Sequence, residues 1–383
     1  MTKSQRPTTA KRRLLARAER EAAQLTDRIV ARARTEMPGY GALSATAIGR
    51  DTRGLVDRLF AALREERPLT DDDVRALREY GETRARQGVS LVDVQNGCRI
   101  AVREVLDVLA AAAGSGRLAD RNLLAVTRDL LDIADQATMA FSGGHREVEL
   151  ELARQDQQER VEFVRGLLLG LLGPADIRVD AQRFGLELDA DYRAVRVGAG
   201  DSVATAELRR VLGGVPARGL TAVVDGNIAG FVTASAVFDA GIDGVIGIGS
   251  AVRLDHLPRS FRLAGRMLST AVVYGVRGIA DLDRLGLLPM VTVDPDFGSE
   301  LARRFLDPLA DGDMARSLVD TVECYLESGM RIDATAARLV VHPNTVRYRI
   351  SRFEQQTGAD LRAAHVSAQV WWAIQHRRAD GSG

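Results

Sequence analysis

The chain has 383 residues, 46% of them hydrophobic and 27% charged, a globular composition too long for one ordinary core, so two or three domains are expected. Basic and acidic residues balance at 52 each, which leaves any DNA binding to the local field of a reading head. Two cysteines, Cys98 and Cys324, exclude a disulfide framework and a zinc site built from cysteine. No stretch approaches the roughly 20 uncharged apolar residues of a membrane span, and the N-terminus lacks a signal-peptide core, so a cytoplasmic protein is expected.

Residues 1–10 are polar and read as a frayed start. Lys11-Arg12-Arg13 ahead of Leu14 and Leu15 opens a helix, and a solvated helix start is favoured over a basic arm reaching DNA. Helical spacing continues through Ile29, breaks at Pro38-Gly39 and resumes across Leu55, Leu59 and Leu63. Thr70 before Asp71-Asp72-Asp73 is a helix start, with a hydroxyl cap and carboxylates against the positive helix end. That helix passes Tyr80, Gly88 breaks it, and further helices are expected over Ser90–Ala112 and Asn122–Phe141, separated by a Gly114-Ser115-Gly116 loop. Residues 10–142 therefore form an all-α domain.

The run Arg84-x-Arg86-Gln87-Gly88-Val89-Ser90-Leu91 resembles the helical N-terminal domain of RsbR-type stress regulators, which implies a globin-like sensor fold. Haem is not expected, because no histidine precedes His145 to serve as the proximal ligand. Cys98 reads as a buried structural thiol. An apolar pocket for a small-molecule effector and a protein–protein surface both stay open.

After Gly143-Gly144 a charged run, His145 to Arg160, passes into Val161, Val164, Leu167, Leu168, Leu171 and Leu172. Residues 143–174 are expected to be a connecting signalling helix that doubles as a dimer contact, although a single packed helix fits nearly as well.

Periodicity then shifts to strands at Tyr192–Val197, Leu220–Val224, Ile228–Thr233 and Val245–Ile248, with helices at Thr205–Leu212 and Ser260–Val273. Asp225-Gly226-Asn227 is a hairpin turn tolerant of positive φ. This predicts an α+β domain over 175–290 with a mostly antiparallel sheet. The run Gly247-Ile248-Gly249, with Leu257, Ser260, Ala264, Leu268 and Leu285-Gly286-Leu287, resembles the GGDEF-like domain of PucR- and CdaR-type regulators. That likeness implies a cyclase-like fold. Catalysis is not expected, because Asp225-Gly226-Asn227 stands where diguanylate cyclases carry a hairpin with paired acids, and two-metal chemistry needs bridging carboxylates. Gly247-x-Gly249 lacks the third glycine of a dinucleotide loop and reads as a tight turn. Asp296-Phe297-Gly298 has no kinase machinery around it. His256, His365 and His376 are isolated, so no metal site and no cofactor are expected.

Pro295–Asp313 reads as a connector with a short helix. The last domain, 314–378, contains two helices joined by a tight turn. The first carries Ala336, Ala337 and Leu339, Val340-Val341 form the turn, and Pro343 opens the second. Val346, Ile350 and Phe353 recur as one apolar stripe; Asn344, Thr345, Tyr348, Ser351 and Arg352 lie opposite, with Arg347 and Arg349 on the flanks. An ordinary helical hairpin with a solvated face would share that spacing.

The run Leu339-x-Val341-His342-Pro343-Asn344-Thr345-Val346-x-Tyr348-Arg349-Ile350 resembles the C-terminal helix-turn-helix of the PucR family of bacterial transcriptional regulators. The family pattern is Leu-x-Val-His, a basic residue, Asn-Thr, an aliphatic, x, Tyr-Arg and an aliphatic. Pro343 departs from it by replacing a cation, and Val340 holds a turn position often left-handed. The resemblance implies that His342, Asn344, Thr345, Arg347, Tyr348, Arg349 and Arg352 contact double-stranded DNA. It further implies a homodimer or higher homo-oligomer, because one such helix usually needs a second half-site. Trp371-Trp372 is expected in the core or at a dimer or DNA flank, and Arg377-Arg378 within reach of phosphate. The competing expectation is a signalling adaptor that contacts proteins and no longer reads DNA.

Overall fold

The computed structural model describes residues 9–113, 116–213, 218–239, 241–309 and 312–381. The expected frayed start through residue 8 and the expected loop residues Gly114 and Ser115 lie outside them. The chain divides into two compact units, residues 1–157 and 158–383. Among the described residues no helix is long and apolar enough to cross a membrane.

The first unit is all helical: α1 (Thr9–Glu19), α2 (Ala22–Glu36), α3 (Pro38–Gly41), α4 (Ala45–Glu65), α5 (Asp71–Arg86), α6 (Leu91–Ala112) and most of α7 (Arg117–Leu169). Cap chemistry sets its starts. At α5 the Thr70 hydroxyl accepts from the Asp73 N–H at 3.2 Å while the Asp73 carboxylate accepts from the Thr70 N–H at 3.0 Å, a closed capping box. Ser90 caps α6 in the same way, accepting from the Asp93 N–H at 3.1 Å. Asp73 is buried and also receives Arg58 at 3.0 Å and Arg67 at 2.7 Å.

Two apolar clusters fill this unit. One joins Leu15, Leu25, Ile29, Phe60, Leu109 and Leu130, and the other Met37, Tyr40, Ile48, Leu77, Val94 and Phe141. Each such side chain contributes about 1.5–3 kcal/mol on burial. Lys11 is not solvated as expected. It is buried between Glu66 and Asp129, each 2.7 Å from its ammonium, which takes it out of reach of DNA.

Gly143-Gly144, where the expected Asn122–Phe141 helix meets the expected connecting helix, interrupts neither. Both lie inside the 53-residue α7, and the reason is a close crossing. A Cβ on Gly144 would stand 2.3 Å from the Arg78 carbonyl oxygen, and one on Gly81 would stand 2.0 Å from that of Phe141. Glycine lets the backbones of α5 and α7 touch, and that packing outweighs its poor helix propensity.

The second unit holds the last residues of α7, then α8 (Pro174–Arg183), β1 (Tyr192–Val197), α9 (Ser202–Leu212), β2 (Gly219–Val224), β3 (Asn227–Thr233), β4 (Val245–Val252), α10 (Leu257–Val273) and β5 (Gly278–Ala280). Its sheet runs β2-β3-β1-β4-β5, antiparallel except for the β4–β5 pair. Asp225 and Gly226, at φ +50° and +75°, form the expected two-residue hairpin.

The β1–β4 register shifts between Arg193 and Val195, and successive β1 side chains alternate between two covered faces. Tyr192 and Ala194 pack with α10 and the end of α7, whereas Val195 and Val197 pack with Ala204 and Leu208 of α9. Gly247 and Gly249 are not a tight turn. They lie within β4, and a Cβ on them would meet the Ala264 and Ser260 carbonyls at 2.2 and 2.1 Å, so their absence of side chain lets α10 lie directly on the strand.

After α11 (Leu282–Leu285) and α12 (Leu288–Val291) come five helices around one core: α13 (Pro295–Phe305), α14 (Asp313–Glu327), α15 (Ile332–Leu339), α16 (Pro343–Thr357) and α17 (Ala364–Asp380). Leu301, Phe305, Val322, Val346, Phe353 and Val370 fill that core. The short helix expected within the 295–313 connector is α13, which packs into this core. Gly298 of α13 lies against the His376 ring, where a Cβ would stand 2.5 Å away. His376 is buried, with its Nε2 3.1 Å from the Ser299 hydroxyl.

Candidate nucleic-acid interface

The geometry of the C-terminal helices starts from two left-handed turns. Gly329 and Met330, at φ +64° and +56°, end α14, and the Met330 N–H reaches back to the Tyr325 carbonyl at 2.8 Å. Val340, at φ +54° and ψ +47°, ends α15 and leaves its side chain 89% exposed. The left-handed turn position expected from the sequence is thus occupied by a β-branched residue, a conformation that costs about 1–2 kcal/mol. His342 then caps α16, its Nδ1 accepting from the Asn344 N–H at 3.2 Å, and Pro343 takes the first helical position.

Val346, Ile350 and Phe353 are buried against α14, α15 and α17 as their spacing requires. This locks the rotation of α16. Asn344, Arg347, Tyr348, Ser351 and Arg352 consequently face solvent, with Thr345 half-buried at the edge. Two intrahelical pairs organise the exposed side. Arg347 donates to the Asn344 side-chain oxygen at 2.8 Å, and Arg352 donates to the Tyr348 hydroxyl at 3.1 Å. An amide, a phenol and two guanidiniums thus share one helix face, the donor and acceptor types that recognise base edges and phosphates.

Arg349 departs from its expected place on the DNA flank. It is half-buried and donates to the buried Thr321 hydroxyl of α14 at 3.2 Å. At roughly 100° per residue it lies nearer the apolar stripe than Arg347 does, so its guanidinium turns toward the neighbouring helix. Gln355, exposed and near the centre of the polar face, was not among the expected contacts. Its angular position on α16 was the signal that could have found it.

The closing helix supports the site from behind. Trp372, partly buried, packs edge-on against the exposed Phe297 at 5.7 Å and lies against the margin of the C-terminal core. Arg377 pairs with Asp307 at 2.6 Å and Arg378 pairs with Glu323, so the two cations expected to reach phosphate are spent on internal ion pairs. Burial pushes the Glu323 carboxyl up, even though the Gln375 amide and the Arg378 guanidinium favour its charge. Among the described residues no group of three histidines, cysteines or carboxylates could hold a metal ion.

Comparison with known proteins follows this division. Residues 23–160 match the RsbT co-antagonist protein rsbRD N-terminal domain, and residues 318–375 match the PucR C-terminal helix-turn-helix domain. An uncharacterised protein of Thermomonospora curvata is 38% identical over 96 residues, 23% of this chain and 53% of its own length. One of Mycobacterium tuberculosis is 49% identical over 78 residues, 18% of each chain. The purine catabolism regulatory protein of Bacillus subtilis is 30% identical over 128 residues, 33% of this chain and 22% of its own. The chain thus spans about half the length of the first of these relatives and less of the other two. The chain joins an N-terminal domain of the rsbRD type to a C-terminal helix-turn-helix domain of the PucR type.

Proposed function

We propose that this protein is a transcriptional regulator that reads double-stranded DNA in a sequence-specific way with α16. The observation that carries the reading is the polar face of that helix. Its rotation is fixed by Val346, Ile350 and Phe353, and it presents Asn344, Arg347, Tyr348 and Arg352 together. Asn344, Thr345, Tyr348 and Arg352 meet base edges, with amide and guanidinium groups suited to adenine and guanine respectively. Arg347 and the His342 end of α16 meet phosphate. Arg349 positions the helix through Thr321 instead of touching DNA.

The protein acts as a homodimer or larger homo-oligomer in the cytoplasm, since paired half-sites give such helices useful affinity. The B. subtilis relative, named for regulating purine catabolism, and the matched domain types support a regulatory role without catalysis. The middle domain is a degenerate cyclase-like module: its Asp225-Gly226 hairpin carries no second acid to bridge a metal pair.

The test is duplex binding by the full chain. Affinity for random DNA should fall steeply with salt, and Arg347→Ala should reduce the slope of log affinity against log salt by about one. Salt-independent binding, or no binding, would remove the DNA reading. Incubation with magnesium and GTP or ATP should yield no cyclic product.

A further inference from the structure

The two apolar clusters of the helical unit do not close on each other. Between them lies a cavity of about 120 Å³. Small residues from three helices line part of it: Ala33 of α2, Gly97 and Ala101 of α6, Ala134 and Ala137 of α7. Larger apolar side chains, among them Leu55, Leu59, Val102 and Phe141, complete the lining. Natural cores are packed to near-crystal density, so a void of this size at the meeting point of six helices is a departure that costs stability. An enclosed apolar cavity of similar size, about 150 Å³, takes up benzene or xenon instead of water.

The wall also carries a small polar fitting. The Tyr40 and Tyr80 hydroxyls are 3.1 Å apart. One donates to the other, which leaves one O–H without an acceptor among the described hydrogen bonds. Burial pushes the Tyr40 phenol far up, so it stays a neutral donor. Arg84, fully buried and bonded to Asp51 at 2.7 Å, stacks over the Tyr80 ring at 4.6 Å and holds it in place. Cys98 lines the same cavity, with its sulfur 3.5 Å from the Thr138 hydroxyl. Haem does not fit this space: no histidine lines it, and its volume suits a single small ring.

We infer that this cavity is a binding site for a small neutral ring compound, of about benzene size, bearing one oxygen that accepts the spare tyrosine hydroxyl. It would be the effector site of the regulator proposed above, and it rests on that reading only for its purpose, because the test involves no DNA. Two further features fit. Gly97 leaves space on the wall for one further atom, since a Cβ there would come into ordinary contact with Met37 and the Tyr40 hydroxyl at 3.6 Å. Among the described lining residues the charged ones are Asp73 and Arg58, paired at 3.0 Å at the α5 cap, which leaves the remaining described wall uncharged.

The experiment is calorimetric titration of the full chain with phenol and with benzene, alongside Ala134→Leu and Ala101→Leu, which fill the cavity with apolar volume. Wild-type protein should bind phenol saturably at one site per chain, and benzene more weakly. Each filled variant that keeps its helical circular dichroism should lose at least about tenfold in affinity. Phenol should also slow alkylation of Cys98 but not of Cys324, which is buried in the other unit and serves as the control. The Tyr40→Phe/Tyr80→Phe double variant should bind the two compounds alike. Absence of saturable binding by wild type overturns the inference, as does undiminished binding by both folded filled variants. Failure here leaves duplex binding by α16 intact, so the two readings fail separately.

Discussion

Two adjacent glycines in one helix should respond in opposite directions to the same substitution. Gly143 and Gly144 both lie in the interior of α7. A Cβ on Gly143 would meet only the Arg78 guanidinium, a movable group 3.8 Å away, whereas one on Gly144 would meet the backbone of Arg78 at 2.3 Å. Gly143→Ala should therefore gain about 1 kcal/mol, the usual helix-propensity difference. Gly144→Ala gains the same local term but forces α5 and α7 apart. Overpacking costs about 1–3 kcal/mol where side chains can adjust, and here the obstacle is main chain, so a net loss of about 2 kcal/mol is expected. Far-ultraviolet circular dichroism during thermal unfolding measures both, with the transition of the 1–157 unit moving by about 2–4 °C per kcal/mol. Tryptophan fluorescence provides the control. The chain's two tryptophans, Trp371 and Trp372, sit on α17, so that signal should not move. Stabilisation by Gly144→Ala, or equal effects at the two sites, would refute the close crossing.

Val340→Gly should stabilise the C-terminal helices by about 0.5–1 kcal/mol, because relief of about 1–2 kcal/mol at its left-handed turn exceeds the entropy glycine adds to the unfolded chain; a lower midpoint by tryptophan fluorescence would count against that turn. Arg349→Ala should cost about 0.5–1.5 kcal/mol in the same assay, through the lost hydrogen bond to Thr321, and leave the salt slope of DNA binding unchanged. The third concerns acid. Burial favours protonated Asp73, but the Thr70 N–H, Arg67, the Thr70 hydroxyl and Arg58 outweigh it and hold the carboxyl well below the usual range. A depressed folded value means that its stabilisation is present above the unfolded value of about 4 and lost as pH falls below that. Asp73→Asn should thus destabilise the helical unit at neutral pH and flatten its acid limb; a parallel acid limb would show that Asp73 is not the titrating group.

Much of this architecture was legible because its signals are local. Thr70 with its following acids marked α5, and Asp225-Gly226 marked the hairpin, because caps and turns are fixed by the residues that make them. The apolar stripe of α16 was legible for a similar reason: three positions one turn apart can face only one way. The misread points are all tertiary. Gly143-Gly144 and Gly247-x-Gly249 have the composition of breaks and turns, and only the Arg78, Ala264 and Ser260 carbonyls pressed against them reveal packing. Strand β5, three residues long, has too few positions to show alternation. The short helix α13 was expected inside a connector, and its packing against α17, distant in sequence, could not be read locally. Lys11 and Arg349 looked like exposed cations, and their partners, Glu66, Asp129 and Thr321, could not be named before the helices were placed.

The most direct test of DNA reading by α16 is a comparison of operator and random-duplex affinity across a salt series for wild type, Asn344→Ala, Arg352→Ala and Arg347→Ala. The operator would come from genome-wide binding sites of the wild-type protein. Asn344→Ala and Arg352→Ala should each lose about 1–3 kcal/mol on the operator, relax preference at particular base pairs and bind random DNA nearly as before. Arg347→Ala should weaken both duplexes alike. If Asn344→Ala and Arg352→Ala discriminate operator from random DNA as well as wild type does, α16 does not read bases, and an adaptor acting through protein contacts takes its place.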